Sequence, residues 1–262
     1  MPHLTYGISD GVATIKLTNP PQNRLSPQML DEFNQALDAI EESEARAMLL
    51  SAEGDDFSFG GDIVPWPEMT RRELRSLFEN YMNAFNRFER LPIPTVAAVR
   101  GLCFGGGLEL AVRADLIFAA ESARFGHPEQ SLAIVTLLGG TYRVAERAGR
   151  SKAIEWALTS EQVPAATMAQ FGVVNRVIPD VDLTNEAAAF AKKLASGPTK
   201  AHAAHKALLR IWATGGVSAA DEAMFDIALP LFDSEDVQLA LPASVEAFKA
   251  GRPRPVFEFK GR

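Results

Sequence analysis

The alternation and periodicity of apolar residues along the chain predict an α/β protein. Residues 4–17, LTYGISDGVATIKL, alternate apolar and polar positions on both sides of the turn SDG, which predicts two short strands. The runs ARAMLLSA, TVAAVRG and DLIFAAE are short and almost entirely apolar, as buried strands are. Between these runs apolar residues recur at helical spacing, so strand, helix and strand follow one another as in parallel βαβ units.

Two helices of this α/β part have clear starting signals. Ser26 precedes Pro27, and apolar residues recur at helical spacing up to Ile40, which predicts a helix that Ser26 caps. A second amphipathic helix is predicted from Thr70 to Leu91. Its apolar side carries Leu74, Leu77, Phe78, Tyr81 and Phe85.

The pattern changes after GVVNRVIP, residues 172–179. From Asp182 onward it predicts four helical segments and no strand. We therefore predict an α/β core with the functional site over residues 1–181. Residues 182–262 are predicted to form a C-terminal helical region that ends in a basic, Pro-rich tail.

Composition and charge exclude several classes of protein. Of the 262 residues, 47% are hydrophobic and 23% are charged, which is ordinary for a soluble globular protein. The net charge of −7 argues against a general nucleic-acid-binding protein, because phosphate neutralisation needs a basic surface. Cys103 is the single cysteine, so no intrachain disulfide can form. No apolar run approaches the roughly 20 residues of a membrane span and no signal pattern is seen, so we expect a cytoplasmic protein without a membrane partner.

The segment GLCFGGGLELAVRAD, residues 101–115, places three glycines in front of a glutamate that has apolar neighbours. Glycine is unfavourable inside a helix and a carboxylate is unfavourable among apolar residues, so this combination needs a reason. Bare N–H groups at the start of a helix, predicted from about Gly106, attract negative charge and let a ligand approach the backbone. The segment lacks the phosphate-loop and dinucleotide patterns, so the ligand can be an oxyanion that forms during a reaction. Taken alone, the segment is also explained by close packing of a strand on a helix, with Glu109 as a first-turn acid that the helix dipole favours.

Two further segments favour a catalytic interpretation. In ARFGHPEQSLAIV, Glu129 follows Pro128, which restricts His127 to extended geometry and places Glu129 on a loop or at a strand exit. Two carboxylates in apolar surroundings, on the two sides of one βαβ unit, suit paired acid–base chemistry. The loop DDFSFGGDI, residues 55–63, follows another buried strand and offers a second N–H donor. The alternative for Glu129 is a loop carboxylate that nearby backbone N–H groups satisfy.

Together these segments resemble the crotonase family, the enoyl-CoA hydratase/isomerase superfamily. FSFGGDI, GGGLELA and FGHPE match the family patterns F-[SA]-x-G-x-D-[IL], G-G-G-x-E-L-A and F-G-x-P-E in order and spacing. PQNRLS matches the N-terminal P-x-N-x-L-S, so the resemblance covers nearly the whole chain. It implies an α/β fold, a crotonase-like spiral of ββα units with a C-terminal helical trimerisation region. It also implies a homotrimer, or a hexamer made of two trimers.

The resemblance implies that the substrate is an acyl-CoA thioester. No metal and no separate cofactor are expected, because coenzyme A is part of the substrate. The thioester oxygen would accept hydrogen bonds from the N–H groups of Gly61 and Gly106, where an enolate forms. Glu109 and Glu129 match the two glutamates of the family's hydratases, which position one water between them. One removes the water's proton as hydroxide adds to C3, and the other helps to deliver a proton to C2. We therefore predict an enoyl-CoA hydratase, a hydro-lyase.

The acyl site departs from the family pattern. Where typical hydratases have [IT]-P-G-x-G-G after the second glutamate, this chain has VTLLGG, so Thr136 replaces the proline and Leu137 replaces a glycine. The large side chains of Phe59, Trp66 and Leu137 either shape the acyl site for an unusual substrate or belong to the core. His127 is assigned no catalytic role. Arg24, where relatives commonly have alanine, either contacts a phosphate of coenzyme A or is solvated. The residues predicted to bind the substrate are Phe59, Asp62, Ile63, Trp66, Leu137 and Arg24.

Other functions stay open on the sequence. A Δ3,Δ2-enoyl-CoA isomerase would rely on Glu129 alone, and another specialised lyase of the family is also compatible. RNA binding through the helix TRRELRSLFENYMNAFNRFER is weakened by its interspersed glutamates. Retention of both active-site glutamates argues against a silent acyl-CoA-binding subunit. A dehalogenase is disfavoured, because SLAIVTLLGG lacks the aspartate nucleophile of the family's dehalogenases.

Overall fold

The buried strands predicted from the apolar runs form one six-stranded sheet. The computed structural model describes residues 1–262. The order across the sheet is β1 (Leu4–Ser9), β2 (Val12–Leu17), β3 (Ala47–Ala52), β4 (Thr95–Val99), β6 (Leu116–Ala120) and β9 (Arg176–Ile178). β1 and β2 pair antiparallel, as in the predicted hairpin, and all later neighbours pair parallel.

A smaller sheet of three strands was not predicted, because each of its strands has only two or three residues. It consists of β5 (Leu102–Phe104), β7 (Arg124–Gly126) and β8 (Val163–Pro164). β5 and β7 pair parallel, and β8 pairs antiparallel with β7. The glycine segment and Glu129 follow directly after β5 and β7, so this small sheet positions both.

A ββα unit repeats along the chain. β4 in the large sheet leads to β5 in the small sheet and then to helix α3 (Gly106–Ala111). β6 leads in the same way to β7, and then to a 3-10 turn (Pro128–Leu132) and helix α4 (Gly140–Ala148). After β3, Ser58 makes an isolated parallel bridge with Cys103 of β5, and helix α2 (Arg71–Arg90) follows. The repeat is the predicted spiral of ββα units, and it places the segments that follow each small-sheet position side by side.

The two predicted N-terminal helices begin where their caps predict. Helix α1 (Pro27–Glu41) is capped by Ser26, whose Oγ accepts a hydrogen bond from the N–H of Met29 (3.2 Å). Thr70 and Glu73 form a reciprocal capping box at the start of α2. Helices α5 (Arg150–Thr159) and α6 (Ala165–Gln170) were not predicted.

The C-terminal third is helical, as the pattern predicted. It contains α7 (Leu183–Ala195), α8 (Thr199–Ala228) and α9 (Glu235–Lys249). α7 packs on the large sheet through buried Leu183, Ala187 and Ala191, whereas α8 has no buried residue and is broken at Gly216. The division into a core over residues 1–181 and a helical region over residues 182–262 stays a prediction. None of the helices combines the length and the hydropathy that a membrane span requires.

Candidate active site

A cavity of about 470 Å³ lies where the loops of the ββα units meet α2. Every residue predicted to take part in catalysis or binding lines it: Arg24, Phe59, Gly61, Asp62, Ile63, Trp66, Gly106, Glu109, Glu129 and Leu137. The structure thus brings together residues that are more than a hundred positions apart in the sequence. Their individual roles stay predictions.

The two glycine loops carry the N–H groups predicted to bind an oxyanion. Neither the N–H of Gly61 nor that of Gly106 donates to a protein acceptor. The loops approach so closely that a Cβ on Gly60, where φ is +85°, would lie 2.7 Å from the backbone nitrogen of Gly106. Only glycine allows this contact. Two unpaired donors from separate loops therefore border the cavity, an arrangement that can hold one negatively charged oxygen.

The loop that carries Gly61 is fixed by the N-terminal PQNRLS segment. The side-chain amide of Asn23 donates to the carbonyls of Glu53 and Asp56, both at 2.9 Å. The hydroxyl of Ser58 donates to the Asn23 carbonyl (2.8 Å) and accepts from the N–H of Gly60 (3.1 Å). Asn23 and Ser58 are both buried, so these bonds hold the donor loop in one conformation.

Glu109 is buried, and its position is set by two backbone donors. Oε1 accepts hydrogen bonds from the N–H groups of Leu138 (2.7 Å) and Gly140 (2.9 Å). Burial raises the pKa of Glu109, and the two N–H groups act against that rise. A Cβ on Gly140 would lie 2.8 Å from Cγ of Glu109, so a glycine is needed opposite the carboxylate. Oε2 accepts no bond from the protein, which leaves it for a ligand or a water.

A buried arginine braces the segment that holds Glu109. Arg113 is fully buried, and its guanidinium donates to the Leu138 carbonyl (2.7 Å), to Asn86 Oδ1 (2.7 Å) and to Glu89 (3.1 Å). Burial, followed by the charge of Arg143, lowers the pKa of Arg113 to about 10. Arg113 was not among the predicted site residues, although a lone arginine in the apolar run LELAVRADL was a usable signal.

Glu129 lies across the cavity, at the start of the turn after β7. Its side chain is 13% exposed, and Oε2 is buried without a hydrogen-bond partner. Burial raises the pKa of Glu129 to about 7, and the charge of Glu109 adds to that rise. Gly105, where φ is +51°, keeps the approach to this carboxylate open, because a Cβ there would lie 3.2 Å from Glu129 Oε1. A carboxyl with a pKa near neutrality is suited to proton transfer.

His127 lies against Glu129, although the sequence analysis gave it no catalytic role. It is buried, and neither ring nitrogen has a hydrogen-bond partner. Nδ1 is 3.8 Å from Oε2 of Glu129. Burial lowers the pKa of His127 to about 4, so the ring is neutral at physiological pH. A neutral imidazole therefore lies beside the unpartnered carboxylate oxygen of Glu129.

The remaining wall of the cavity is apolar and partly unexpected. Trp66 meets Phe78 of α2 in a T-shaped contact with ring centroids 5.2 Å apart. Phe59, Trp66 and Leu137 are half-buried on the cavity wall rather than enclosed in the core. The apolar face of α2 also contributes Leu77, Phe78 and Tyr81. The sequence analysis missed these three as site residues, because helical periodicity does not separate a cavity wall from a core.

The two remaining departures from the family pattern have local partners. Thr136 Oγ1 lies 3.0 Å from Thr141 Oγ1, so this hydroxyl ties the loop to the first turn of α4. Arg24 donates to the Gly61 carbonyl (3.2 Å) and to Gln22 Oε1 (2.6 Å). Arg24 therefore supports the donor loop from the cavity rim. No three His, Cys, Asp or Glu side chains come together as a metal ion would require.

Comparison with known proteins gives the family. The model of the family described as "Enoyl-CoA hydratase/isomerase" matches residues 7–258. The chain belongs to this enzyme family. The match confirms the resemblance drawn from the glycine and glutamate segments, and it spans both the α/β core and the C-terminal helices.

Relatives in the enoyl-CoA hydratase/isomerase family match along most of their length. The chain is 31% identical over 252 residues to "Probable enoyl-CoA hydratase" of Bacillus subtilis, covering 94% of this chain and 96% of that protein. It is 34% identical over 188 residues to "Short-chain-enoyl-CoA hydratase" of Clostridium acetobutylicum, covering 71% and 72%. A crystal structure of "Enoyl-CoA Hydrates Subunit I" from Geobacillus kaustophilus has a TM-score of 0.89 at 30% identity and covers 99% of this chain and 98% of that one. The predicted crotonase-like fold is thereby confirmed.

Proposed function

We propose that the protein is an enoyl-CoA hydratase, which adds water across the C2=C3 bond of a 2-enoyl-CoA thioester. The observation that carries the proposal is the placement of Glu109 and Glu129 on one cavity with two unpaired backbone donors. The names of the relatives from Bacillus subtilis and Clostridium acetobutylicum support the same reaction.

In the proposed reaction, the thioester oxygen accepts hydrogen bonds from the N–H groups of Gly61 and Gly106. When hydroxide adds to C3, negative charge moves through the conjugated system onto this oxygen. The two donors stabilise the resulting enolate more than the neutral thioester, and such a donor typically contributes about 10²–10³ in rate. Gly60 and Gly106 lie in direct backbone contact, so the donors need no rearrangement when the charge develops.

The two glutamates take opposite parts in proton transfer. Glu109 is the base: its two backbone hydrogen bonds favour the carboxylate form, and it takes a proton from water as the oxygen bonds to C3. Glu129 is the acid: with a pKa of about 7 it is protonated in about half of the molecules at neutral pH, and it delivers this proton to C2. Each turnover leaves Glu109 protonated and Glu129 ionised, and proton exchange with water restores the starting state of both.

The absorbance of a conjugated thioester tests this proposal. Hydration of crotonyl-CoA removes the conjugation, so the purified protein should cause a rapid loss of ultraviolet absorbance. Glu109→Gln and Glu129→Gln should each lower the rate by at least about 10². Exposed Glu121→Gln is the matched control and should behave as the unchanged protein. Unaltered hydration by Glu109→Gln would contradict the two-glutamate reaction.

A Δ3,Δ2-enoyl-CoA isomerase is the second candidate. The observation that favours it is the pKa of Glu129 near 7, since one such carboxyl can carry a proton between C4 and C2 without a second base. In that case Glu109→Gln would spare the activity on a 3-enoyl-CoA, while Glu129→Gln would abolish it.

We further propose that the chain forms a homotrimer, or a hexamer of two trimers. The support is α8, a helix of 30 residues without a buried side chain, which exposes Leu209, Trp212, Val217 and Phe225. Apolar surface of this extent is typical of an interface between subunits. Analytical ultracentrifugation should find a trimer or hexamer, and a monomer at micromolar concentration would contradict the proposal. The cytoplasmic location and the absence of a separate cofactor stay predictions.

A further inference from the structure

Tyr81 lines the apolar wall of the active-site cavity and carries a buried, unpaired hydroxyl. The residue is 4% exposed and lines the cavity, and its Oη has no hydrogen-bond partner. An unpaired buried hydroxyl costs roughly 1–3 kcal/mol, so nearly all such groups in folded proteins have partners. The unpaired Oε2 of Glu129 belongs to the proposed proton transfer and His127 lies beside it, whereas Tyr81 has no part in that reaction.

The surroundings of Tyr81 make this hydroxyl distinct. Its ring makes a T-shaped contact with the ring of Phe85, with the two centroids 6.0 Å apart. Apart from the two glutamates, the other side chains on the cavity wall with polar atoms are Arg24, Asp62, Trp66 and Ser131, and all are more exposed than Tyr81. Burial, with the charges of Asp62 and Asp31, holds the pKa of Tyr81 well above its usual range, so the group keeps its proton and can donate.

We propose that Tyr81 recognises an oxygen on the acyl group, so the preferred substrates are enoyl-CoA thioesters whose otherwise apolar acyl group carries a hydroxyl or carbonyl oxygen beyond C3. This rests on the proposed function, because it places an acyl thioester in the cavity. Phe78, Trp66 and Leu137 supply apolar contacts, and the Tyr81 hydroxyl is the buried donor that would meet the oxygen of the acyl group. A simple hydrocarbon chain would leave that hydroxyl unpaired.

The selectivity follows from this unpaired group. A site built to hydrogen-bond a substrate oxygen rejects the analogue that lacks it, because the analogue leaves the protein group buried and unpaired. For one neutral hydrogen bond, the expected preference is about tenfold in the dissociation constant.

Binding of saturated acyl-CoA compounds tests the inference without any reaction. Calorimetry gives the Kd for sets of equal chain length, from short to medium, that end in a methyl group, a hydroxyl group or a methyl ketone. The wild type should bind an oxygen-bearing member about tenfold more tightly than its methyl-ended counterpart in at least one set. The hydroxyl and ketone arms identify which kind of oxygen fits.

Tyr81→Phe removes only the hydroxyl and should erase the preference. Tyr6→Phe, at a half-exposed tyrosine of β1, is the matched control and should retain it. Equal affinity of the wild type for all members at every chain length would overturn the inference, as would a preference that survives in Tyr81→Phe. The wild-type comparison alone decides the matter if Tyr81→Phe does not fold.

The outcome is separable from that of the hydration assay. If crotonyl-CoA is hydrated but no oxygen preference exists, the proposed function stands and the assignment of Tyr81 falls. If the preference exists and Tyr81→Phe erases it, while no enoyl thioester is hydrated, the binding inference stands and the proposed reaction falls.

Discussion

Burial of Glu129 has a consequence for stability that can be measured without any substrate. Its carboxyl has a pKa of about 7 in the folded protein, against 4.5 for an unperturbed glutamate. Between these values the unfolded chain has lost the proton and the folded protein still holds it. The free energy of unfolding therefore falls as the pH rises through this range, and the contribution of the neutral carboxyl is fully lost above about pH 7.

The size of this effect follows from the two pKa values. Their difference corresponds to about 3 kcal/mol in total, of which about 2 kcal/mol falls between about pH 5 and about pH 8. Glu129→Gln has no proton to lose, so it should gain about 2 kcal/mol relative to the wild type over that interval. The wild type thus has a carboxyl that destabilises the fold at the pH where it can transfer protons.

Urea denaturation, followed by tryptophan fluorescence at a fixed protein concentration, measures this difference. The comparison is made at about pH 5 and about pH 8 for the wild type, Glu129→Gln and the control Glu121→Gln. The control should differ from the wild type by the same amount at both pH values, since Glu121 is exposed. If the stability difference for Glu129→Gln is also independent of pH, Glu129 is not buried as a neutral acid, and its role as proton donor loses its physical basis.

Four further variants, at three positions, probe the surroundings of the glutamates. Arg113→Met removes a fully buried cation from Glu89, so the free energy of unfolding measured in urea should fall by about 3 kcal/mol. A fall of less than about 1 kcal/mol would show that the hydrogen bonds of Arg113 contribute little to stability. Gly105→Ala forces a left-handed φ on alanine and brings a Cβ to 3.2 Å from Glu129, so kcat for hydration should fall at least tenfold, and an unchanged kcat would refute the need for glycine. Hydration should slow above about pH 7 as Glu129 loses its proton. His127→Leu removes a polar neighbour of Glu129 and should move that decline in rate to higher pH. His127→Gln should return the decline to the wild-type pH. If both variants have the wild-type pH profile, His127 has no influence on Glu129.

The elements that bear the candidate catalytic segments were predictable because their constraints are local. Three glycines before a helix, and a carboxylate in an apolar run, each violate a local preference, and such violations mark a site. The glycines proved to be sites of backbone contact, with Gly60 against the backbone nitrogen of Gly106. Ser26 and Thr70 are side-chain caps, so both helix starts were also fixed by neighbouring residues.

The features that could not be predicted depend on contacts between distant segments. The strands of the small sheet are too short to show any periodicity, and they exist because they pair with one another. The role of Arg113 depends on Leu138, 25 residues later, whose carbonyl accepts a hydrogen bond from the arginine in the folded chain. Tyr81 lies on an apolar helix face like its neighbours, and only the fold shows that this face borders a cavity.

The most direct test measures how the Glu109→Gln substitution changes the rates of two reactions. Hydration of a 2-enoyl-CoA and isomerisation of a 3-enoyl-CoA are measured on the same preparation, with wild type and Glu129→Gln alongside. The account predicts that the wild type hydrates and that Glu109→Gln loses hydration by at least about 10², because the base that activates water is gone. Any isomerisation should persist in Glu109→Gln and vanish in Glu129→Gln. Hydration by Glu109→Gln at the wild-type rate would contradict the central claim that Glu109 activates the water while Glu129 protonates C2.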